Sequence, residues 1–111
     1  QVHYNLGVLY HRQGKLEEAV HEYRTAMKLF PGYTKVHVNL GALYAAQGRY
    51  EDAHQEFRSA LKLSPDDPMV YYNLGRISLS QGKEIEARQH FETALKLKPD
   101  FAPARQALQS L

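Results

Sequence analysis

Tyr71-Tyr72-Asn73-Leu74-Gly75 contains the motif that decides the fold. Its Asn-Leu-Gly core is present three times, as Asn5-Leu6-Gly7, Asn39-Leu40-Gly41 and Asn73-Leu74-Gly75, at a spacing of 34 residues. Other landmarks keep the same step. They are Gln13-Gly14, Gln47-Gly48 and Gln81-Gly82; Ala19, Ala53 and Ala87; Tyr23, Phe57 and Phe91; Ala26, Ala60 and Ala94; and Pro31, Pro65 and Pro99. A fixed period of about 20–50 residues marks supersecondary units that bury their apolar faces on one another. The chain is one unit written three times.

Within a unit the apolar spacing is helical. Leu6, Leu9 and Tyr10 share one face before Gly14, and Leu16, Ala19, Val20, Tyr23, Ala26, Met27 and Leu29 share one after it. Glycine readily takes the left-handed conformation that ends a helix, so the turn belongs at Gly14-Lys15. Pro31 disfavours helical geometry in the residue before it and stops the second helix. The same reading gives helices over 34–47, 50–63, 68–81, 84–97 and 102–111. Thr34 and Asp100 are expected to cap helices, and Asp67-Pro68 is a strong start signal. The predicted organisation is unit 1 over 1–33, unit 2 over 34–67, unit 3 over 68–101 and a capping helix over 102–111, together one domain. In the last helix Ala107 and Gln109 stand where the units have Asn and Gly, as befits a terminal helix that no second helix crosses. The chain opens at Gln1 inside a helical pattern, so unit 1 is expected to be truncated.

Composition narrows the function. The chain has 111 residues, 14 basic and 12 acidic side chains, and a net charge of +2, with no run of like charge. That balance argues against nucleic acid as a partner. No apolar run approaches the about 18 residues of a membrane span, so insertion into a membrane is not expected. There is no cysteine, which excludes disulfides and thiolate metal sites. A soluble protein is expected, inside a cell rather than secreted.

The landmarks resemble those of tetratricopeptide repeats, whose pattern runs aromatic, Leu-Gly, Tyr, Ala, Phe, Ala, Pro. Unit 2 matches with Leu40, Gly41, Tyr44, Ala53, Phe57, Ala60 and Pro65. Unit 1 matches with Leu6, Gly7, Tyr10, Ala19, Tyr23, Ala26 and Pro31. Unit 3 matches with Tyr71, Leu74, Gly75, Ala87, Phe91, Ala94 and Pro99. His3 and His37 replace the usual Trp, and Ser78 replaces the usual Tyr. The resemblance implies an all-α, right-handed α-solenoid of three helix-turn-helix units plus the capping helix. The glycines would let the two helices of a unit approach, with the Ala19 series facing them. The Tyr23, Phe57 and Phe91 series would fill the gap between successive units. His3 and His37, standing in for a packing aromatic, would be buried or half-buried structural residues.

The resemblance also implies a concave groove lined by the first helix of each unit. The groove positions are Tyr4, Asn5, Val8 and Arg12 in unit 1; Lys35, Val38, Asn39 and Ala42 in unit 2; and Met69, Tyr72, Asn73 and Arg76 in unit 3. Asparagine is a poor helix former, so three copies at equivalent helical positions need a reason. A side-chain amide donates and accepts, so such a row suits an extended peptide backbone. It resembles the asparagine ladder of the O-GlcNAc transferase repeat superhelix. The alternative is that each Asn ties adjacent helices together. The family's carboxylate clamp for acidic C-termini would need basic and amide residues at Tyr4, Val8, Asn39, Met69 and Asn73; only Asn39 fits. Lys35, Arg76 and Arg12 make the groove mildly basic, while Tyr4, Tyr72 and Val38 make it partly apolar.

Glu18 with His21, and Glu51 with His54, have the spacing of di-iron ligands but sit on second helices at non-equivalent positions, so no metal is expected. No nucleophile–base order, phosphate loop or paired-carboxylate cleft is present, and neither a cofactor nor catalysis is expected. The expected function is a protein-interaction module, a scaffold or adaptor that binds an extended peptide segment of a protein partner in its groove. The alternatives are an element that assembles end to end into a homo-oligomer through apolar residues such as Val2, Leu6, Leu9, Leu108 and Leu111, or a non-catalytic arm of a larger enzyme.

Overall fold

In the computed structural model, which describes residues 1–111, seven α-helices and no strand are present. They fall into two compact units. The first, Gln1–Leu63, holds α1 (Val2–Arg12), α2 (Leu16–Leu29), α3 (Thr34–Ala46) and α4 (Tyr50–Leu63). The second, Ser64–Leu111, holds α5 (Pro68–Ser80), α6 (Glu84–Leu97) and α7 (Ala102–Gln109). The principal packing joins helices adjacent in sequence: α1 with α2, α2 with α3 and α3 with α4; then α5 with α6 and α6 with α7.

The turn inside each pair is the same hydrogen-bonded device. Gly14, Gly48 and Gly82 have φ of 76°, 75° and 75°, which a side chain would strain. Gly48 N–H donates to Ala45 O at 3.0 Å, and Arg49 N–H reaches back to Tyr44 O at 2.8 Å. Gly14 with Lys15 and Gly82 with Lys83 repeat both bonds, so the last carbonyls of α1, α3 and α5 are satisfied by backbone alone.

Helix starts are less uniform. Asp67 caps α5 as expected, its carboxylate accepting from Met69 N–H at 3.0 Å with Pro68 in the first turn. Thr34 and Asp100 are not caps. Tyr33 and Phe101 occupy those positions without a side-chain bond. In α3 the backbone serves instead, through Val36 N–H to Tyr33 O at 3.1 Å; ahead of α7 the chain turns through Phe101 N–H to Lys98 O at 3.0 Å, and the first helical bond is Arg105 N–H to Phe101 O at 3.2 Å. Helices α3, α5 and α7 stop at residues 46, 80 and 109, one or two short of the expected ends.

The core corrects one expectation about the aromatic series. A methyl group built on Gly7 would stand 2.5 Å from the ring of Tyr23, on Gly41 2.7 Å from Phe57, and on Gly75 2.5 Å from Phe91. Each ring therefore sits on the glycine of its own helix pair, rather than only filling a gap between successive units. Ala19, Ala26, Ala53, Ala60, Ala87 and Ala94 are wholly buried along the second helices and leave room for those rings. His3 and His37 also tie the two helices of a pair together. His3 Nδ1 lies 2.7 Å from Glu22 Oε2, and His37 Nδ1 lies 2.9 Å from Glu56 Oε1. The shared 19-residue separation of these two pairs is a signal the sequence carried and the landmark reading passed over.

Candidate peptide-binding surface

In the first unit, α1 and α3 present Tyr4, Val8, Arg12, Asn39 and Ala42 together. The Tyr4 ring packs 5.2 Å from Tyr33 and 6.1 Å from Tyr23, centroid to centroid. Its hydroxyl accepts a hydrogen bond from Asn39 Nδ2 at 3.2 Å, across from α1 to α3. Beside this pair is a hollow of about 400 Å³ lined by Val8, His11, Arg12, Tyr23, Asn39 and Ala42. Tyr23 was read from the sequence only as a packing residue; the absent Cβ at Gly7 lets its ring come through to the hollow's wall.

The three asparagines have different surroundings. Asn5 is exposed. Asn39 bonds Tyr4 and lines the hollow together with the Tyr23 ring. Asn73 is 7% exposed and donates through Nδ2 to the Met69 carbonyl one turn back in α5, at 2.9 Å. Of the other expected residues of the first unit, Lys35 is exposed and Val38 is 7% exposed, so Val38 offers little surface. In the second unit, α5 carries Met69, Tyr72 and Arg76. Met69 and Arg76 are exposed, with the Arg76 guanidinium 5.7 Å from the Tyr72 ring centre. The Tyr72 ring packs edge-on to Phe101, 6.0 Å away.

Burial pushes the Tyr23 phenol above its ordinary value of 10.0; the Asn39 amide beside it opposes this, and neighbouring Tyr4 adds to it. The folded state thus favours the neutral phenol. That contribution is complete below the ordinary phenol range and is lost as pH rises through the elevated value. Urea unfolding followed as a function of pH is expected to show stability falling above about pH 10, less steeply in Tyr23→Phe. An identical alkaline slope in both proteins would contradict this assignment.

No group of three His, Cys, Asp or Glu side chains is placed to hold a metal ion. No helix is long and apolar enough to cross a membrane.

A family model for the tetratricopeptide repeat matches the chain twice, over residues 10–77 and 44–111. The chain belongs to the tetratricopeptide repeat family. It is similar to the first such domain of Spaghetti (RPAP3), solved bound to the HSP90 peptide SRMEEVD. The TM-score is 0.87 at 25% identity, covering 98% of this chain and 86% of that one. The TPR domain of Arabidopsis OM64 has TM-score 0.89 at 23% identity, covering 98% and 90%. YrrB, described as a TPR protein with an unusual peptide-binding site, has TM-score 0.88 at 20% identity, covering 96% of this chain and 55% of that one. The last two establish the fold alone. No curated protein sequence matches.

Proposed function

We propose that the chain is a protein-interaction module whose first unit holds an extended segment of a partner protein in the hollow beside α1 and α3. The observation that carries this reading is the hollow's lining. Aliphatic Val8 and Ala42, the Tyr23 ring, the Asn39 amide and the Arg12 cation share one concavity. An extended segment presents unpaired N–H and C=O groups, and an amide suits either. The bond to Tyr4 holds Asn39 in one orientation, so little side-chain freedom remains to be lost on binding. Arg12, His11 and Lys35 favour a segment with acidic residues, and Tyr4, Val8 and Ala42 favour apolar ones between them. In the second unit, Met69, Tyr72 and Arg76 offer similar chemistry by themselves. A structural neighbour solved with a bound peptide supports the class of ligand. Of the clamp positions only Asn39 fits, so the preferred sequence is expected to differ from that peptide.

The test is selection of peptides from a displayed library, followed by fluorescence polarisation. Ala42→Arg fills the hollow and is expected to weaken the selected peptides by about tenfold or more. Asn39→Ala removes one neutral hydrogen bond, about 0.5–1.5 kcal/mol, and is expected to weaken them about two- to tenfold. Unchanged affinity in Ala42→Arg, with circular dichroism intact, would end the reading.

A further inference from the structure

His37 in α3 is held at both ring nitrogens. Nδ1 lies 2.9 Å from Glu56 Oε1 of α4, and Nε2 lies 3.0 Å from the carbonyl oxygen of Pro31, in the link between α2 and α3. The two side chains are 12% and 18% exposed, so water replaces these bonds poorly. A carbonyl oxygen only accepts, and so does a carboxylate, whereas a neutral imidazole carries a single N–H. Both contacts are hydrogen bonds together only when the His37–Glu56 pair holds an added proton, as imidazolium and carboxylate. Glu56 is the one charged side chain that bonds the ring. Lys35, on the same helix, is exposed and makes no ion pair, and α1 and α2 bring no charged group to bonding distance. At the same repeat position α5 carries Tyr71, which meets His90 ring on ring, 6.4 Å apart, so packing alone does not call for a histidine. The link that His37 grips leads to the hollow. It ends at Tyr33, whose ring packs 5.2 Å from Tyr4, and the Tyr4 hydroxyl accepts from Asn39.

We propose that His37 is a positioning residue for the hollow and makes it sensitive to pH, its protonated ring pinning the link that seats Tyr33 against Tyr4. This rests on the reading of the hollow as a peptide site. When the ring gives up its proton, one N–H remains. The carboxylate keeps it, because a bond to a charged acceptor is the stronger. Nε2 then turns a lone pair toward the Pro31 carbonyl, two acceptors meet, and the link is pushed away. Tyr33 loses its fixed place on Tyr4, and Asn39 loses the partner that holds its amide in one orientation. Ordering those groups again falls to the ligand, so affinity declines as pH rises.

His37→Tyr installs the residue that α5 already uses at this position, so the variant is expected to fold. Two readouts are followed from about pH 5 to about pH 8, the interval in which imidazoles as a class titrate. In the free chain, ring-nitrogen NMR is expected to show both His37 nitrogens protonated at the acid end and one at the alkaline end. The backbone amides of Gly32 and Tyr33 and the side-chain amide of Asn39 are expected to shift in step, and His37→Tyr to abolish those steps. For binding, a histidine-free selected peptide is titrated into His11→Gln, which lacks the imidazole that lines the hollow itself. Affinity is expected to fall about two- to threefold across the interval, and to stay level once His37→Tyr is added. Amides that ignore the His37 titration overturn the proposal, and so does a binding profile unchanged by His37→Tyr. The peptide reading is judged separately, by Ala42→Arg, so the two can fail apart.

Discussion

Phe57→Ala is expected to destabilise the first unit by about 3–5 kcal/mol, read as a shift of the urea midpoint monitored by circular dichroism. The ring is 1% exposed and lies against Gly41 of α3. Its loss removes buried apolar surface and leaves a cavity whose nearest wall is backbone. Gly41 has no side chain to lean in, and Ala53 and Ala60 on the same helix are too short to fill the space. The site therefore collapses poorly, which places the cost toward the upper end of the range for a buried aromatic. Phe30→Ala is the control. That ring is 52% exposed, and its loss is expected to change stability by about 0.5 kcal/mol or less. A loss below about 1 kcal/mol for Phe57→Ala would mean that the ring does not carry the packing of α3 on α4.

Gly75→Ala sets two effects against each other. In a helix interior alanine is favoured over glycine by about 1 kcal/mol, so propensity alone predicts stabilisation. The added methyl, however, would lie 2.5 Å from Phe91 Cε1, 2.8 Å from Cδ1 and 2.9 Å from Cζ. Phe91 is wholly buried among Ala87, Ala94, Phe101 and Ala104, so the ring has nowhere to retreat without disturbing the α6–α7 contact. Overpacking of this kind costs about 1–3 kcal/mol and is expected to win, giving net destabilisation. Phe91→Leu in the same chain should recover part of the loss, since it shortens the group that the methyl strikes. The sign is the readout: if Gly75→Ala raises the urea midpoint, the close contact of α5 on Phe91 is not real.

The helices were legible because glycine, proline and the apolar period recur at one spacing, and each has a local cause that needs no knowledge of distant residues. Asp67-Pro68 was legible for the same reason. Thr34 and Asp100 misled because a side-chain cap is one of several ways to satisfy the first N–H groups. Here Tyr33 and Phe101 supply backbone carbonyls, to Val36 and Arg105, which sequence does not distinguish. The candidate site was half legible. The row of asparagines was visible as a pattern, and so was the choice between holding a ligand and tying helices. Which course each amide takes depends on what stands opposite it. For Asn39 that is Tyr4, 35 residues away; for Asn73 it is the Met69 carbonyl in its own helix; for Asn5 it is solvent. Tyr23 was misjudged for a similar reason, because a ring resting on a glycine can close the core with one edge and line a surface hollow with another.

That each helix packs chiefly on its neighbours in sequence has a kinetic meaning. The links between packed helices are three or four residues long, so the entropy lost before a first tertiary contact forms is small. A chain that needs no distant strands or helices to find each other has a short conformational search, and helical folds of this kind reach the native state in microseconds to milliseconds. The nucleus need be no more than one hairpin, such as α3 with α4, closed by its Gly48 turn and the Phe57 ring. Substitutions inside the hairpin that forms first would slow folding, and those in the others would chiefly hasten unfolding.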